Sequence, residues 1–192
     1  MSASPNPLTV LLADDDEYRP MFYKPYIDAA APGAKFLSAT NASDAKALIA
    51  EHKPDILLLD VTLPVSEYDV SIPLGQEYLH SVQVAQAARK EHPQCQIILI
   101  STYANIHKDH YPTGTTGINS LDFDSALEPA VLDALQEMKR QAEAAATLSN
   151  ALHASRIEQV RRSPWHNGSK EGCKDAWAIR AAPSDDDKVP ER

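Results

Sequence analysis

The chain has 192 residues, 43% of them hydrophobic, which is enough for one ordinary domain with a sizeable core plus an appendage. Its formal net charge of −9 argues against a general nucleic-acid binder. Residues 1–150 carry 10 Lys/Arg against 20 Asp/Glu, whereas residues 151–192 carry 8 against 7, so the tail is compositionally separate.

The opening MSASPNPLTV has no basic region leading into a long apolar run, and no later stretch approaches the ~20 apolar residues of a membrane span. A cytoplasmic protein with no membrane association is expected, with residues 1–7 disordered. The first apolar run, LTVLLA (8–13), ends on the acids DDDE (14–17). Residues 18–30 make a poor helix: Pro20 suits a first turn, but Pro25 should kink or break it. AKFLSA (34–39) is the second run, and SDAKALIAEH (43–52) reads as a helix capped by Ser43 or Asn41, with Ala45, Leu48 and Ile49 on one side. The third run, DILLLD (55–60), closes on Asp60 and is followed by Pro64.

Residues 75–91 place Tyr78, Leu79, Val82 and Ala85 at helical spacing, and QIILIS (96–101) is the fourth run. Pro112, Gly114 and Gly117 are poor helix formers, so residues 102–117 should hold no more than a short helix near 105–111 and then a loop. INSLDF (118–123) is a weaker fifth run. Ser125 and Glu128 have capping-box spacing ahead of a strong helix bearing Leu127, Val131, Leu135 and Met138. That helix is expected to continue over 146–162 and stop before Pro164; an extension of this kind would suit pairing in a homodimer. Residues 163–192, rich in Ser, Pro, Gly and charge, should be disordered, with Trp165 and Trp177 either stray aromatics or anchors on a partner.

Short apolar runs alternating with helices imply an α/β fold, a parallel sheet covered on both faces. Ligands on such sheets sit beyond the C-terminal strand ends. The acids Asp14, Asp15 and Asp60, together with Ser101, would share that edge, since each closes a run or follows it directly. Neighbouring carboxylates repel by roughly 4 kcal/mol per pair at about 4 Å and an effective dielectric near 20. A hard cation with oxygen ligands, Mg²⁺, would offset this. The acids alone equally fit a solvated turn over 14–16 with Asp60 as a helix cap. Cys95 and Cys173 give no disulfide framework; His107, Asp109 and His110 fit a solvated loop, and His153, His166 and Cys173 lack metal-site spacing. No glycine-rich phosphate loop or Gly-x-Ser-x-Gly elbow is present.

The pieces VLLADDDE, DILLLDVTLP and IILIST, in this order and separation, resemble the receiver domain of two-component response regulators over roughly residues 8–145. The resemblance implies a flavodoxin-like, doubly wound, five-stranded parallel sheet of order 2-1-3-4-5. It also implies Mg²⁺ held by Asp14, Asp15 and Asp60, with Asp60 accepting a phosphoryl group from a histidine kinase or phosphotransfer protein. Ser101 matches the switch hydroxyl, with Thr102 the second candidate, and Pro64 matches the proline that shapes the loop after the acceptor. The domain layout that follows is a disordered start (1–7), a receiver-like domain (8–145), a helical extension (146–162) and a disordered tail (163–192), with a downstream protein partner and no DNA-binding output.

Two departures stand against the family pattern. Counting along GINSLDFDS, Asp124 falls where the family has a lysine and Leu121 where it has the switch aromatic, with Lys108 a possible substitute. SEYDVSI (66–72) is extra, a surface insertion or a lid bearing Glu67 and Asp69, ahead of a helix start at Gly75 and Glu77. A pseudo-receiver acting as a phosphorylation-independent interaction module is therefore the alternative, and a phosphatase on the same fold, without a general acid to name, is a third.

Overall fold

In the computed structural model, the residues described are 7–66, 78–101, 108–119 and 123–162. The five runs become β1 (Thr9–Ala13), β2 (Lys35–Ala39), β3 (Ile56–Asp60), β4 (Gln96–Ile100) and β5 (Thr116–Ile118). They form one all-parallel sheet of order β2-β1-β3-β4-β5, the flavodoxin-like topology expected. Between them lie α1 (Arg19–Ala30), α2 (Ala42–His52), α3 (Leu79–Glu91) and a 3₁₀ turn (Lys108–His110); α4 (Phe123–Arg162) follows β5.

The inner strands β1, β3 and β4 are apolar along most of their length because both faces are covered, whereas the edge strands β2 and β5 are partly exposed. Alternate residues serve opposite layers. Leu11, Leu57, Leu59, Ile97 and Leu99 pack with Ala45 and Ile49 of α2 and Val84, Ala85 and Ala88 of α3. Val10, Leu12, Ile56, Leu58, Ile98 and Ile100 pack with Tyr23 and Ile27 of α1 and Leu127, Val131 and Ala134 of α4.

The chain divides into two compact units, Met1–Ala142 and Glu143–Arg192. In the second, the described residues are helical, and 143–159 are all exposed. No helix of the described residues is long and apolar enough to cross a membrane. The expected disorder over 163–192, most of the 1–7 segment and most of the 66–72 insertion lie outside the described residues, as do Trp165 and Trp177.

Three local expectations need correction. α1 runs unbroken through Pro25. The Met21 carbonyl, which loses its donor to the proline ring, belongs to the solvent-facing side, where Met21, Phe22 and Pro25 are all exposed. β5 lies two residues earlier than INSLDF, because its register with β4 pairs Ile98 with Thr116 and Ile100 with Ile118. The Ser101 amide donates to the Ile118 carbonyl at 3.3 Å, where the pairing runs out. α4 then begins at Phe123, so Ser125 lies inside the helix instead of capping it.

Of the two capping candidates for α2, Ser43 and Asn41, the structure selects Asn41. Its side-chain oxygen accepts from the Asp44 amide at 2.9 Å, and its side-chain NH₂ donates to the Asp44 carboxylate at 2.7 Å. Ser43 works elsewhere: its hydroxyl donates to the Val65 carbonyl at 2.8 Å. The amides of Ala42 and Ser43 donate to the carbonyls of Pro64 and Val65 at 2.8 and 3.0 Å. The first turn of α2 is thus tied to the loop that follows β3. Asn41→Ala removes the cap and should cost about 1–2 kcal/mol by urea denaturation.

Candidate functional site

Parallel pairing of β1 and β3 sets Ala13 opposite Leu59, so Asp14 and Asp60 leave adjacent strands side by side. Asp14 is 5% exposed, Asp60 half-buried and Asp15 exposed, and one carboxylate oxygen of each lies within 4.8 Å of the others. The Asp14 amide continues the ladder to the Ala39 carbonyl at 3.0 Å, and its carboxylate accepts from the Asp16 amide at 3.1 Å. The Asp60 carboxylate accepts from the Thr62 amide at 3.3 Å and the Thr62 hydroxyl at 3.0 Å.

Burial pushes the Asp14 carboxyl up to about 6, helped by the charges of Asp60 and Asp15 and resisted by the Asp16 amide and Arg19. Burial also raises Asp60, against the hydrogen bonds of Thr62 and the Val61 amide, with Asp15 adding repulsion. Three hard oxygen donors that gain from a shared cation make a ligand set that fits Mg²⁺, which takes a few carboxylates and completes its shell with water. Ser101, also buried, follows Ile100, the register partner of Asp60, so it stands on the same edge one strand over.

No protein-family model matches the sequence, and no curated protein is similar enough to count as a relative. Among solved structures, the chain is similar to a two-component transcriptional regulator AraC from Clostridium phytofermentans, with 21% identity and a TM-score of 0.54, covering 71% of this chain and 98% of that one. It is similar to the response regulator domain of CheB from Thermotoga maritima, with 20% identity and a TM-score of 0.52, covering 70% and 98%. NtrX from Brucella abortus matches with 18% identity and a TM-score of 0.58, covering 82% of this chain and 35% of that one.

The fold is that of a receiver domain.

Within the receiver fold, the residues expected at the C-terminal sheet edge converge: Asp14, Asp15 and Asp60 meet, and Ser101 shares their edge. Thr102, Leu121, Glu67 and Asp69 lie outside the described residues, as do the side chains of Lys108 and Asp124. The placement of Asp124 is corrected. β5 ends at Ile118, so Asp124 is in the first turn of α4, not just after the strand. The lack of a basic partner there does not depend on that count, since no Lys or Arg occurs between Lys108 and Lys139.

Two pairs of side chains near the site were not anticipated. Ser81, fully buried near the start of α3, has its hydroxyl 2.9 Å from the carbonyl of Val61, the residue after Asp60, and 2.8 Å from that of Tyr78. The Tyr111 hydroxyl lies 2.6 Å from the same oxygen. Ser81 has one proton and two carbonyls to serve, so Tyr111 donates to it. Burial pushes the Tyr111 hydroxyl up to about 12, which keeps that donor proton in place. The other pair is Arg19 and Tyr23: the Arg19 Nη1 donates to the Tyr23 hydroxyl at 3.2 Å. Of these four residues, Ser81 carries a sequence signal, a polar residue on the apolar face made by Tyr78, Val82 and Ala85.

A carboxyl whose proton affinity is raised by folding favours the folded state below its unfolded pKa, and that contribution is lost as the pH rises through its folded value. For Asp14 the window runs from 3.8 to about 6. Without divalent cations, Asp14→Asn should be more stable than the wild type by about 1–3 kcal/mol at neutral pH, with the gap closing toward pH ~4, in denaturation series across pH. Tyr111→Phe keeps the ring and removes one buried hydrogen bond, and should cost about 1–2 kcal/mol in the same assay.

Proposed function

We propose that this protein is a response-regulator receiver that accepts a phosphoryl group on Asp60 from the phosphohistidine of a histidine kinase or phosphotransfer protein. The observation that carries this reading is the meeting of Asp14, Asp15 and Asp60 at the C-terminal edge of a sheet with receiver topology. In this reading an Asp60 carboxylate oxygen attacks phosphorus in line with the bond to the donor imidazole. The O–P bond forms as the N–P bond breaks, and the imidazole nitrogen leaves with the electron pair and takes up a proton.

The chain's own part is positional. The Thr62 hydrogen bonds hold both oxygens of the Asp60 carboxylate, so it is oriented before the donor arrives. Ser101 would donate its hydroxyl to a phosphoryl oxygen, the role assigned to the switch residue. Asp14, Asp15 and Asp60 would hold Mg²⁺. Bound there, the ion supplies positive charge that offsets the acids and the phosphoryl oxygens. Because the donor phosphohistidine is cytoplasmic in such systems, the same setting is proposed here.

The absence of any Lys or Arg between Lys108 and Lys139 favours a second reading, a pseudo-receiver that binds its partner without phosphorylation. One experiment separates them. Incubated with Mg²⁺ and acetyl phosphate or phosphoramidate, the wild-type protein should gain the mass of one phosphoryl group and Asp60→Asn should gain none, by intact mass spectrometry. An unchanged wild-type mass would leave the pseudo-receiver.

A further inference from the structure

Phosphoryl transfer to Asp60 brings further negative charge to an edge that already holds three carboxylates, and the stretch where the family keeps its lysine has no Lys or Arg from 109 to 138. Mg²⁺ would offset part of this charge, and a protein cation in the lysine's place would offset more of it during transfer.

Arg19 has the required position. It is the first residue of α1, which follows the acidic turn after β1, and the Asp16 that holds it also donates its amide to the Asp14 carboxylate at 3.1 Å. Its guanidinium is held at two points: Nε donates to the Asp16 carboxylate at 3.3 Å and Nη1 to the Tyr23 hydroxyl at 3.2 Å. Tyr23 is fully buried, so its ring is a fixed post, and its hydroxyl feels the charges of Asp14, Arg19 and Asp60. Of the five guanidinium N–H groups, these two bonds use two. The remaining three form a planar fork of the kind that pairs with phosphoryl oxygens. The Arg19 side chain is 41% exposed, so a donor from solution can reach it. Its pairing with Asp16 is a surface i,i+3 contact, which adds little stability. A purely structural purpose thus gives a weak reason for so constrained an arginine.

We propose that Arg19 takes the place of the missing lysine, donating hydrogen bonds to the phosphoryl oxygens during transfer to Asp60, with Tyr23 as the positioning residue that orients it. The proposal rests on Asp60 being the acceptor. It differs from the family pattern in origin: the cation comes from the start of α1 and not from the connection after β5.

The test uses the full chain with Mg²⁺ and acetyl phosphate, following initial phosphorylation rates against donor concentration for the wild type, Arg19→Gln, Arg19→Lys and Tyr23→Phe. Arg19→Gln should lower kcat/KM by about 10- to 100-fold, the worth of a lost charge-assisted contact, with Arg19→Lys recovering part of it. Tyr23→Phe keeps the charge and should fall between Arg19→Gln and the wild type. Mg²⁺ titration gives the readout that a structural role would not produce. Removing a cation from beside the acids should leave Mg²⁺ affinity equal or higher, whereas general disruption of the site would lower it together with the rate. Arg19→Gln rates within about twofold of the wild type would overturn the proposal while leaving Asp60 as acceptor, because a lost charge-assisted bond costs more than that. Parallel losses in rate and Mg²⁺ affinity would overturn it in favour of a structural role. A wild-type protein that takes up no phosphoryl group would remove the acceptor reading and this proposal together.

Discussion

Mutual repulsion among three carboxylates is the constraint around which this structure is arranged. With one oxygen of each within 4.8 Å of the others, a pair costs about 3 kcal/mol at an effective dielectric near 20. The register of β1 on β3 leaves no freedom to move Asp14 away from Asp60 without sliding a strand whose residues Val10 to Ala13 are buried alternately in the two layers. The strain is met locally instead: the Asp16 amide and Arg19 ease Asp14, and the Thr62 amide and hydroxyl ease Asp60. Each of these compensations is partial: burial first, and the neighbouring acids after it, still push both carboxyls up. The site is left with an unmet demand for positive charge, and that demand is its chemical capability.

Much of this is legible in the sequence. Five short apolar runs cannot be amphipathic surface strands, so a doubly covered parallel sheet was the reading available, and such sheets gather their strand-end residues at one edge. That logic placed Asp14, Asp15, Asp60 and Ser101 correctly, because each is within two residues of a strand end and the geometry leaves little room for error. α2 was legible for a similar reason: its cap, first-turn acid and apolar face agree with one another.

What escaped depends on partners far along the chain. The position of β5 is set by where β4 offers hydrogen-bonding groups, and the apolar residues of INSLDF carry no record of that register. Pro25 costs the helix one hydrogen bond, and the loss is smaller where water can reach the orphaned carbonyl; the exposure of that side is a tertiary fact. Ser81 and Tyr111 are separated by 30 residues and meet only because α3 and the segment before β5 pack against the same face of the sheet. Arg19 and Tyr23 are one helical turn apart, a spacing common enough to attract no notice until Tyr23 is seen to be buried beside the acids.

The tie between α2 and the loop after β3 has a bearing on how this chain tolerates change. The carbonyls of Pro64 and Val65 are taken by the amides of Ala42 and Ser43, and Val65 also receives the Ser43 hydroxyl. Asp60 therefore sits upstream of a clamp only four residues away. Backbone beyond Ser66 enters after the clamp, so a change of its length is not passed back to the carboxylate through these hydrogen bonds.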